Sequence, residues 1–552
     1  NSPGVAAQDM LIEAVLPYPG CVPIKAACQR AGLREEIAPV LSEVVFGSGD
    51  IQLRAHQAEA LATSLKGKQG QHNVVVTSGT GSGKTESFLL PIIARLLDER
   101  LGRNHLPINP WWEKRWKAEK SWSGVRRKTN SIKPAVRAMV LYPTNALVED
   151  QMTRLRKAAI LSKQINDGKP LFYFGRYTGS TAGGTQFPPA VLDAKWKKRI
   201  QTESDEIIDI QKEALSLVDS AMDIRAQLPE SSCGEMLTRW DMIDAPPDIF
   251  ITNLSMLNVM LMREHEESIF KQTLDWLSES PDHIFTLVVD ELHSYRGTQG
   301  TEVALVVRNL LQRLGLDHDS SQLRCIATSA SLDSDAGTFL EQFFGVDRDT
   351  FKIISGSPIT TSAELPLKKD VIDAIVTACV SPNIEELRDL NKKNNIRHAI
   401  ATAAERAGTT DDKRIVPARI DKLAHKLLGD NVSEDALKAI FSCASTSDGE
   451  ALDYGNPLPS FRAHMFFRQI QGMWACSNPM CTEVDPIYEY KNRNIGKLYK
   501  EPAIKCACGG QVLELLYCYD CNEVYLGGFV STIDEKPLDW GQYLLSSMPL
   551  PN

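Results

Sequence analysis

The stretch VVVTSGTGSGKT, residues 74–85, decides the fold: a β-branched run leads into a glycine-rich turn that ends in Lys-Thr at the start of a predicted helix. This order is typical of a phosphate-binding loop, because glycines let backbone N–H groups converge on phosphate oxygens and the helix dipole favours an anion. The Lys84 ammonium can reach the β- and γ-phosphates, and the Thr85 hydroxyl can bind Mg²⁺. The predicted site for ATP and Mg²⁺ consists of Thr80, Gly81, Ser82, Gly83, Lys84 and Thr85.

An acidic pair stands at the end of another predicted strand. Residues 285–289 form an apolar run typical of a buried parallel strand, and Asp290-Glu291-Leu292-His293 follows it directly. Two adjacent carboxylates can divide the work of ATP hydrolysis, since the first can hold Mg²⁺ through water and the second can orient the attacking water. Together with the phosphate loop, this pair predicts an ATPase whose catalytic residues are Lys84, Asp290, Glu291 and His293.

Three further polar residues are candidates for sensing the nucleotide. Thr328 and Ser329 end the predicted strand 323–327, where their hydroxyls can hydrogen-bond His293 and relay the state of the nucleotide. Gln57 opens a predicted helix about one strand before the phosphate loop, and its amide can read the adenine edge. The alternative for Gln57, held at even weight, is a solvated side chain on a helix surface.

The order strand, loop, helix repeats from residue 73 to about residue 345. It predicts an α/β fold with a mainly parallel sheet and helices on both faces, and ligands of such sheets bind at the carboxyl ends of the strands. Polar groups at three more predicted strand ends can hold nucleic-acid phosphates, although the first pair can equally be a simple helix cap. These residues are Thr144 and Asn145, Thr178 and Gly179, and Thr252 and Asn253.

Residues 100–133 hold ten Lys or Arg against two Asp or Glu, interleaved with four tryptophans. Basic groups beside aromatic rings can grip a phosphate backbone and stack bases. In the alternative interpretation, the tryptophans anchor an insertion to the domain while its charges face water. The composition alone leaves both open. The tryptophans are Trp111, Trp112, Trp116 and Trp122.

Six cysteines are crowded between residues 476 and 521 in closely spaced pairs, which suits a metal better than disulfides. A Cys-x4-Cys pair followed by Cys-x-Cys can place four thiolates tetrahedrally around Zn²⁺, and a four-thiolate site is structural because it leaves no position for water. The predicted ligands are Cys476, Cys481, Cys506 and Cys508. The third pair, Cys518 and Cys521, can replace one of these two pairs, begin a second site completed elsewhere or remain as free thiols.

Composition sets broad limits. The chain has 552 residues, 43% of them apolar and 24% charged, with a net charge of −9, so wholesale disorder is excluded and nucleic-acid binding requires local basic patches. No apolar run approaches the ~20 residues of a bilayer span, which predicts a cytoplasmic protein without membrane contact. The predicted divisions are a helical lead-in (1–50), an ATPase domain (51–350) with insertions near 99–134 and 186–245, a helical linker (351–460) and a zinc-ribbon module (461–530).

Taken together, the motifs resemble those of DExH superfamily-2 helicases over roughly residues 50–350. Motifs Q, I, Ia, Ib, II and III correspond to Gln57, 78–85, 143–147, 252–253, 290–293 and 328–331. Residues 235–242, 292–304 and 462–468, with the cysteines, are similar to large bacterial helicases of anti-phage systems. The mitomycin-repair helicases are more distantly similar.

The resemblance implies a RecA-like fold in which Lys84 and Thr85 bind phosphate and Mg²⁺, Asp290 holds the metal and Glu291 is the catalytic base. It implies a DNA partner that is single-stranded or has a single-stranded tail, and a partner protein of the defence system. Such motors also need a second RecA-like domain with an arginine finger, and nothing after Ser331 matches one, so the rest of the polypeptide or another chain must supply it. The alternatives are an ATP- and nucleic-acid-binding scaffold without turnover, an RNA helicase and a DNA-repair helicase.

Overall fold

The computed structural model describes most of the 552 residues. The described ranges are 10–66, 70–79, 81–126, 132–184, 186–218, 220–295, 297–329, 332, 336–359, 362–380, 384–410, 416–429, 432–446, 458–465, 472–486, 493–517, 524–530 and 545–546. By contacts they fall into two compact units, one of Ala14–Thr409 with Leu423–Arg462, and a smaller one of Asn1–Glu13, Thr410–Lys422 and Ala463–Asn552.

The elements alternate between strand and helix through most of the chain. The strands are β1 (Leu11–Val15), β2 (Gly20–Pro23), β3 (Gln52–Arg54), β4 (Asn73–Thr77), β5 (Ala138–Tyr142), β6 (Phe174–Tyr177), β7 (Glu235–Met236), β8 (Ile249–Asn253), β9 (Phe285–Val289), β10 (Leu323–Ser329), β11 (Phe351–Ser355), β12 (Ala418–Arg419), β13 (Ser460–His464), β14 (Trp474–Cys476), β15 (Leu498–Tyr499), β16 (Val512–Tyr517), β17 (Val524–Gly527), β18 (Phe529–Val530) and β19 (Leu545–Ser546). The helices are α1 (Ile24–Arg30), α2 (Ile37–Phe46), α3 (Ala55–Leu65), α4 (Lys84–Arg100), α5 (Asn145–Ile165), α6 (Ala194–Ser216), α7 (Met222–Arg225), α8 (Arg239–Asp244), α9 (Leu254–Met262), α10 (Glu267–Glu279), α11 (Thr298–Arg313), α12 (Ala336–Phe344), α13 (Lys369–Val380), α14 (Ile384–Asn394), α15 (Ile396–Gly408), α16 (Ile420–Leu428) and α17 (Glu434–Ser445).

An eight-stranded sheet of order β11-β4-β10-β9-β5-β8-β6-β7 forms the centre of the larger unit, and its neighbouring strands pair in parallel. Successive strand residues face opposite sides, so Val74 and Val76 pack in one core while Val75 packs in the other. The same alternation holds in β9, where Val288 lies in the first core and its neighbours Leu287 and Val289 in the second. The prediction of a RecA-like α/β fold with helices on both faces is therefore confirmed.

Two predicted boundaries differ from the observed sheet. Strand β11 pairs with β4, so the sheet extends beyond residue 350, where the helical linker was expected to begin. Strand β7 pairs with β6, so the end of the expected insertion 186–245 belongs to the sheet. The expected helical lead-in also contains β2, which pairs with β3. These strands have two to five residues, too short for a reliable hydrophobic pattern.

The tryptophans of the basic insertion are packed inside the larger unit. Trp111, Trp112 and Trp116 are at most 6% exposed. The Trp111 ring lies 5.6 Å from that of Trp122 and 6.4 Å from that of Trp240. The anchoring interpretation of these rings is therefore the one that the structure supports, because buried rings cannot stack on bases.

Three arginines converge on one buried carboxylate at the start of β8. Arg100 binds both oxygens of Asp248, and Arg126 and Arg137 lie 3.2 and 3.0 Å from its Oδ1. Burial raises the pKa of Asp248, but the three guanidinium groups outweigh it and hold that pKa well below its usual range. This network joins α4, the basic insertion and two central strands.

The smaller unit contains the cysteine-bearing module. Strands β15-β14-β16-β17 form an antiparallel sheet whose packed residues include Cys476, Cys481 and Cys506. An antiparallel sheet with clustered cysteines fits the predicted zinc-ribbon-like module. The helical region expected after the sheet is present as α13 to α17.

Candidate nucleotide site, nucleic-acid edge and cysteine cluster

The phosphate loop is held through its carbonyl oxygens by the start of α3. Arg54 Nη1 donates to Gly81 O at 2.8 Å, and Gln57 Nε2 donates to Gly83 O at 3.2 Å. His56 Nε2 lies 2.8 Å from Ser82 O. Because a trans peptide group directs its N–H opposite to its C=O, tying the oxygens to one side turns the following N–H groups to the other. The loop is thereby arranged to present donors, as a phosphate site requires.

Gly83 shows why the loop needs glycine. Its φ is +76°, a left-handed conformation that other residues rarely adopt, and an added Cβ would lie 2.4 Å from Gln57 Nε2. Helix α4 begins at the next residue, Lys84. Thr80, the remaining predicted loop residue, lies outside the described part of the chain.

Lys84 and the acidic pair meet across the carboxyl edge of the sheet. Lys84 Nζ is 3.4 Å from Glu291 Oε1, and Glu291 Oε2 is 3.2 Å from His293 Nδ1. Glu291 has the backbone of a left-handed residue, with φ +51°. The structure thus brings together three of the four predicted catalytic side chains around a single carboxylate.

Asp290, the fourth predicted catalytic residue, is bound by the strand next to it. Thr328 Oγ1 donates to Asp290 Oδ1 and accepts the Glu291 N–H at 3.2 Å. Burial raises the pKa of Asp290, and the Thr328 hydrogen bond opposes this shift. The Thr328 hydroxyl therefore contacts the acidic pair rather than His293, while Ser329 O accepts the Ser78 N–H of the loop at 3.3 Å.

Helix α5 connects the loop with the predicted nucleic-acid edge. Gln151 Nε2 lies 3.5 Å from Thr85 Oγ1, and Arg154 forms an ion pair with Glu86. Gln151 Oε1 is buried and has no hydrogen-bond partner among the described residues. About two turns before Gln151, α5 begins at Asn145, directly after Thr144.

The predicted nucleic-acid residues divide into an exposed and a buried group. Thr144 and Asn145 are exposed, the Thr144 side chain makes no capping hydrogen bond, and Asn253 Nδ2 donates to Asn145 Oδ1 at 2.6 Å. Gly179 is also exposed. Asn253, which is half-buried, caps α9 by accepting the Met256 N–H at 2.7 Å.

Thr178 and Thr252, by contrast, have their side chains inside the fold. Thr252 is fully buried, and its hydroxyl donates to Tyr177 O at 2.6 Å. Thr178 is 1% exposed, and its hydroxyl lies 3.0 Å from Ser180 Oγ. These two side chains hold neighbouring backbone in place and do not reach the surface, a distinction that sequence position at a strand end could not make.

The four predicted zinc ligands converge. The sulfur atoms of Cys476, Cys481, Cys506 and Cys508 all lie within 4.8 Å of one another. Cys476 Sγ is 3.6 Å from Cys508 Sγ, and Cys481 Sγ is 3.5 Å from Cys506 Sγ. Four sulfurs at about 2.3 Å from zinc in a tetrahedron would be about 3.8 Å apart, so the donor set fits this metal. Cys518 and Cys521 lie outside the described residues.

Several residues of the nucleotide site carry no signal in the sequence. Tyr18 accepts the Gly79 N–H of the loop at 3.1 Å, and Arg54 and His56 hold the next carbonyls. Tyr18 lies far from the loop in sequence, in a segment without a recognisable motif. The proximity of Arg54 and His56 to Gln57 is the one available clue.

This loop, the acidic pair on a neighbouring parallel strand and the Thr328 contact form a candidate nucleotide site at one edge of the sheet, and the domain that carries it is similar to superfamily-2 helicases. Residues 54–170 match the DEAD/DEAH box helicase family, and residues 498–547 match the YjiV N-terminal domain. The chain is similar to the Druantia protein DruE of Escherichia coli (strain UMEA 4076-1), with 30% identity over 578 residues that cover 88% of this chain and 29% of DruE. The predicted resemblance to these helicases is confirmed.

A second relative is the ATP-dependent helicase HRQ1 of Saccharomyces cerevisiae, 24% identical over 59% of this chain and 20% of HRQ1. The chain therefore spans less than a third of the length of either relative. Among solved structures, the DUF1998 helicase MrfA bound to DNA and AMPPNP matches 71% of this chain and 42% of its own, with 17% identity and a TM-score of 0.36. No described helix has the length and apolarity needed to cross a bilayer.

Proposed function

We propose that this chain is the ATP-binding part of an ATP-dependent DNA helicase or translocase of the DExH class. The observation that carries the proposal is the arrangement of Glu291, whose carboxylate lies 3.4 Å from Lys84 Nζ at the mouth of the phosphate loop and beside Asp290. A base, a metal-binding carboxylate and a phosphate-binding lysine at one edge are the parts that phosphoryl transfer to water requires.

The ion pair suggests how the site responds to its substrate. The Lys84 ammonium lies 3.4 Å from the Glu291 carboxylate. A bound γ-phosphate would compete with Glu291 for that ammonium, and the Glu291 carboxylate would then be free to orient water. Asp290 and the Thr85 hydroxyl would hold Mg²⁺, which neutralises charge on the phosphates. Through its two hydrogen bonds, Thr328 keeps the acidic pair in position.

The exposed residues at the same edge are proposed to contact nucleic acid. Thr144, Asn145, Gly179 and Asn253 would bind the phosphate backbone of a single strand or a single-stranded tail. Thr178 and Thr252 would act indirectly, since their hydroxyls are used inside the fold. A second RecA-like domain would close over the ATP and supply the arginine finger.

The remaining assignments follow the same reasoning. The four-cysteine cluster would hold one structural Zn²⁺. We propose the division into an ATPase domain, a helical linker and a zinc module, with β11 assigned to the ATPase domain. We place the protein in the bacterial cytoplasm, in anti-phage defence, with a partner protein of that system. The similarity to DruE supports the defence role.

DNA-stimulated ATP hydrolysis by the complete gene product tests this proposal. Lys84→Ala removes phosphate binding and Glu291→Gln removes the base, so each should lower turnover by about 10²-fold or more. Glu291→Gln should still bind ATP. The matched control, Lys369→Ala on the exposed start of α13, should hydrolyse ATP like the parent.

The alternatives predict other outcomes in the same assay. A scaffold would bind ATP and DNA tightly without turnover in the parent protein. An RNA helicase would be stimulated by an RNA strand and not by DNA of the same sequence. Either result contradicts the proposal.

A further inference from the structure

Two short basic segments, distant in sequence, lie together on the larger unit. We call residues 113–120 and 193–199 the basic surface; they contain eight Lys or Arg against three Asp or Glu. Lys197 Nζ donates to Lys117 O at 3.2 Å, and the Leu192 N–H donates to Lys120 O at 3.0 Å. These two contacts join the segments, so their Lys and Arg residues lie near one another in a chain that is acidic overall.

Four lysines of the basic surface point their charges into solvent. Lys117, Lys120, Lys195 and Lys198 are exposed, and within the described part of the chain none of them pairs with a carboxylate. Two of them, Lys195 and Lys198, lie in the first turns of α6, where the helix dipole disfavours cations. Because these four lysines form no ion pair within the described part of the fold, their charges are available to an anionic partner.

The aromatic rings beneath this surface are already occupied. Trp116 is 1% exposed and donates to Ser204 Oγ at 2.9 Å. Trp196 packs 5.9 Å from Trp240 and lies under the Arg199 guanidinium at 5.0 Å. Recognition of single strands relies on rings that stack with bases, whereas a double helix presents a dense row of phosphates and hides its bases. The available chemistry therefore fits a duplex backbone.

The basic surface is connected to the predicted nucleic-acid edge. Arg199 Nη2 donates to Gly183 O at 3.0 Å, in the loop that continues from Gly179. Arg239 Nη2 donates to the carbonyls of Thr178 and Gly179 at 2.8 and 3.3 Å. The start of α6 is thus bound to the segment that carries one of the proposed backbone contacts.

We propose that the basic surface is a second nucleic-acid site, which binds the phosphate backbone of a DNA duplex next to the strand engaged by the motor edge. This proposal rests on the proposed function, since a duplex-binding site is useful to a protein that acts on DNA. Its contacts are electrostatic and independent of base sequence. Lys117, Lys120, Lys195 and Lys198 are the residues that bind.

Equilibrium binding of a labelled 30-bp duplex, measured by anisotropy at several salt concentrations, tests the proposal. Replacing the four lysines with Ala should weaken binding by about tenfold or more near 0.1 M salt, and should reduce the slope of log K against log[salt] by about 3 to 4, since each lost phosphate contact removes about 0.9. Binding of a single-stranded 30-mer should change much less. The four-fold Lys→Arg variant should bind the duplex like the parent.

A control with the same net charge separates a site from a general charge effect. Lys368, Lys369, Lys392 and Lys393 are exposed on the helical region, and their replacement by Ala should leave duplex affinity and salt slope unchanged. An equal loss in this control, unchanged duplex binding in the first variant, or a loss confined to single strands would each overturn the proposal.

Failure of this inference is distinguishable from failure of the proposed function. The binding assay needs no ATP turnover, so it gives its answer even if the complete protein does not hydrolyse ATP. Conversely, DNA-stimulated hydrolysis with normal duplex binding in the four-lysine variant would retain the proposed motor and reject the basic surface alone. Thermal melting of each variant verifies that it is folded.

Discussion

Gln57 illustrates how one side chain can serve two requirements of a nucleotide site. Its Oε1 accepts the Arg54 N–H at 3.0 Å, its Nε2 donates to Gly83 O at 3.2 Å, and the residue is 4% exposed. The sequence left two interpretations of Gln57 open, a side chain that recognises adenine and a solvated side chain on a helix surface. The structure rejects the solvated position and adds the support of the phosphate loop, while adenine contact stays a prediction.

Replacing Gln57 by Ala separates these roles. The variant loses the bond that supports the loop beneath the phosphates, which ATP and GTP share, so we expect the affinities for both to fall by a similar factor, about tenfold for one net hydrogen bond. Fluorescent-nucleotide titrations with both purines measure this. A selective loss of ATP would instead assign Gln57 chiefly to the adenine edge, and Glu59→Ala on the same helix is the control.

Asp248 is the residue on which stability should depend most directly. Asp248→Asn leaves Arg100, Arg126 and Arg137 buried around a neutral side chain, so we expect a loss of about 3–5 kcal/mol in the free energy of unfolding. The depressed pKa of Asp248 stabilises the folded protein fully above about pH 4, the ordinary pKa of Asp. This stabilisation is lost as the pH falls through the pKa that Asp248 has in the folded protein. The difference in free energy of unfolding between the parent and Asp248→Asn should therefore be constant at neutral pH and become smaller in acid.

Denaturant unfolding at pH 7 and at pH 3 measures both parts of that expectation. Asp317→Asn, an exposed substitution with the same chemical change, should stay within about 0.5 kcal/mol of the parent. A variant as stable as the parent at pH 7 would mean that the arginines find other partners and that the network is not essential.

Among the elements, α5 carries the most direct connection between the two predicted ligands. It begins at the exposed Asn145 and contacts the phosphate-loop helix through Gln151 and Arg154. We expect Gln151→Ala to reduce stimulation of ATP hydrolysis by DNA by about 2- to 30-fold, the range for coupling of 0.5–2 kcal/mol. The separate affinities for ATP and DNA should change little.

Measuring affinities and stimulated rates on the same preparation distinguishes coupling from local damage. Ser162→Ala, further along α5 and away from the loop, provides a matched control. If Gln151→Ala weakens ATP binding as much as it lowers the stimulated rate, Gln151 belongs to the nucleotide site itself.

The elements also show where sequence patterns stop being informative. Strands β4, β5 and β9 were readable because they are continuous apolar runs buried on both faces. Strand β7 has only two residues and joins the sheet through its pairing with β6, which no local pattern reveals. The tryptophans at 111, 112 and 116 looked equally suited to bases or to a core, since only tertiary packing decides which surface a ring meets.

Across the whole molecule, the candidate catalytic and metal-binding residues lie together as the sequence predicts, whereas most of the residues that hold them in place carry no signal in the sequence. Lys84, Asp290, Glu291 and the four clustered cysteines lie in motifs whose spacing is dictated by the ligand. Tyr18, Arg54 and Asp248 act through long-range contacts that depend on the fold. The burial of Thr178 and Thr252 could not be predicted from the sequence either, because it too depends on the fold.

The division into two compact units predicts two separable contributions to stability. Zinc would be bound by the smaller unit and ATP by the larger one. We expect about one Zn²⁺ per chain, and chelation should lower one thermal transition while the other persists, because a four-thiolate site contributes folding energy directly. ATP at 100 times its Kd should stabilise the other transition by about 2.7 kcal/mol.

Elemental analysis and calorimetry of variants make this test decisive. Cys476→Ser should lose both zinc and the chelator-sensitive transition, whereas Cys21→Ser, a free exposed cysteine of the larger unit, should keep both. ATP binding should survive in either variant, because the loop contacts of Arg54, His56 and Gln57 lie entirely within the larger unit. A full metal content in Cys476→Ser would contradict the ligand assignment, and a single transition shifted equally by chelator and ATP would show that the two units unfold as one.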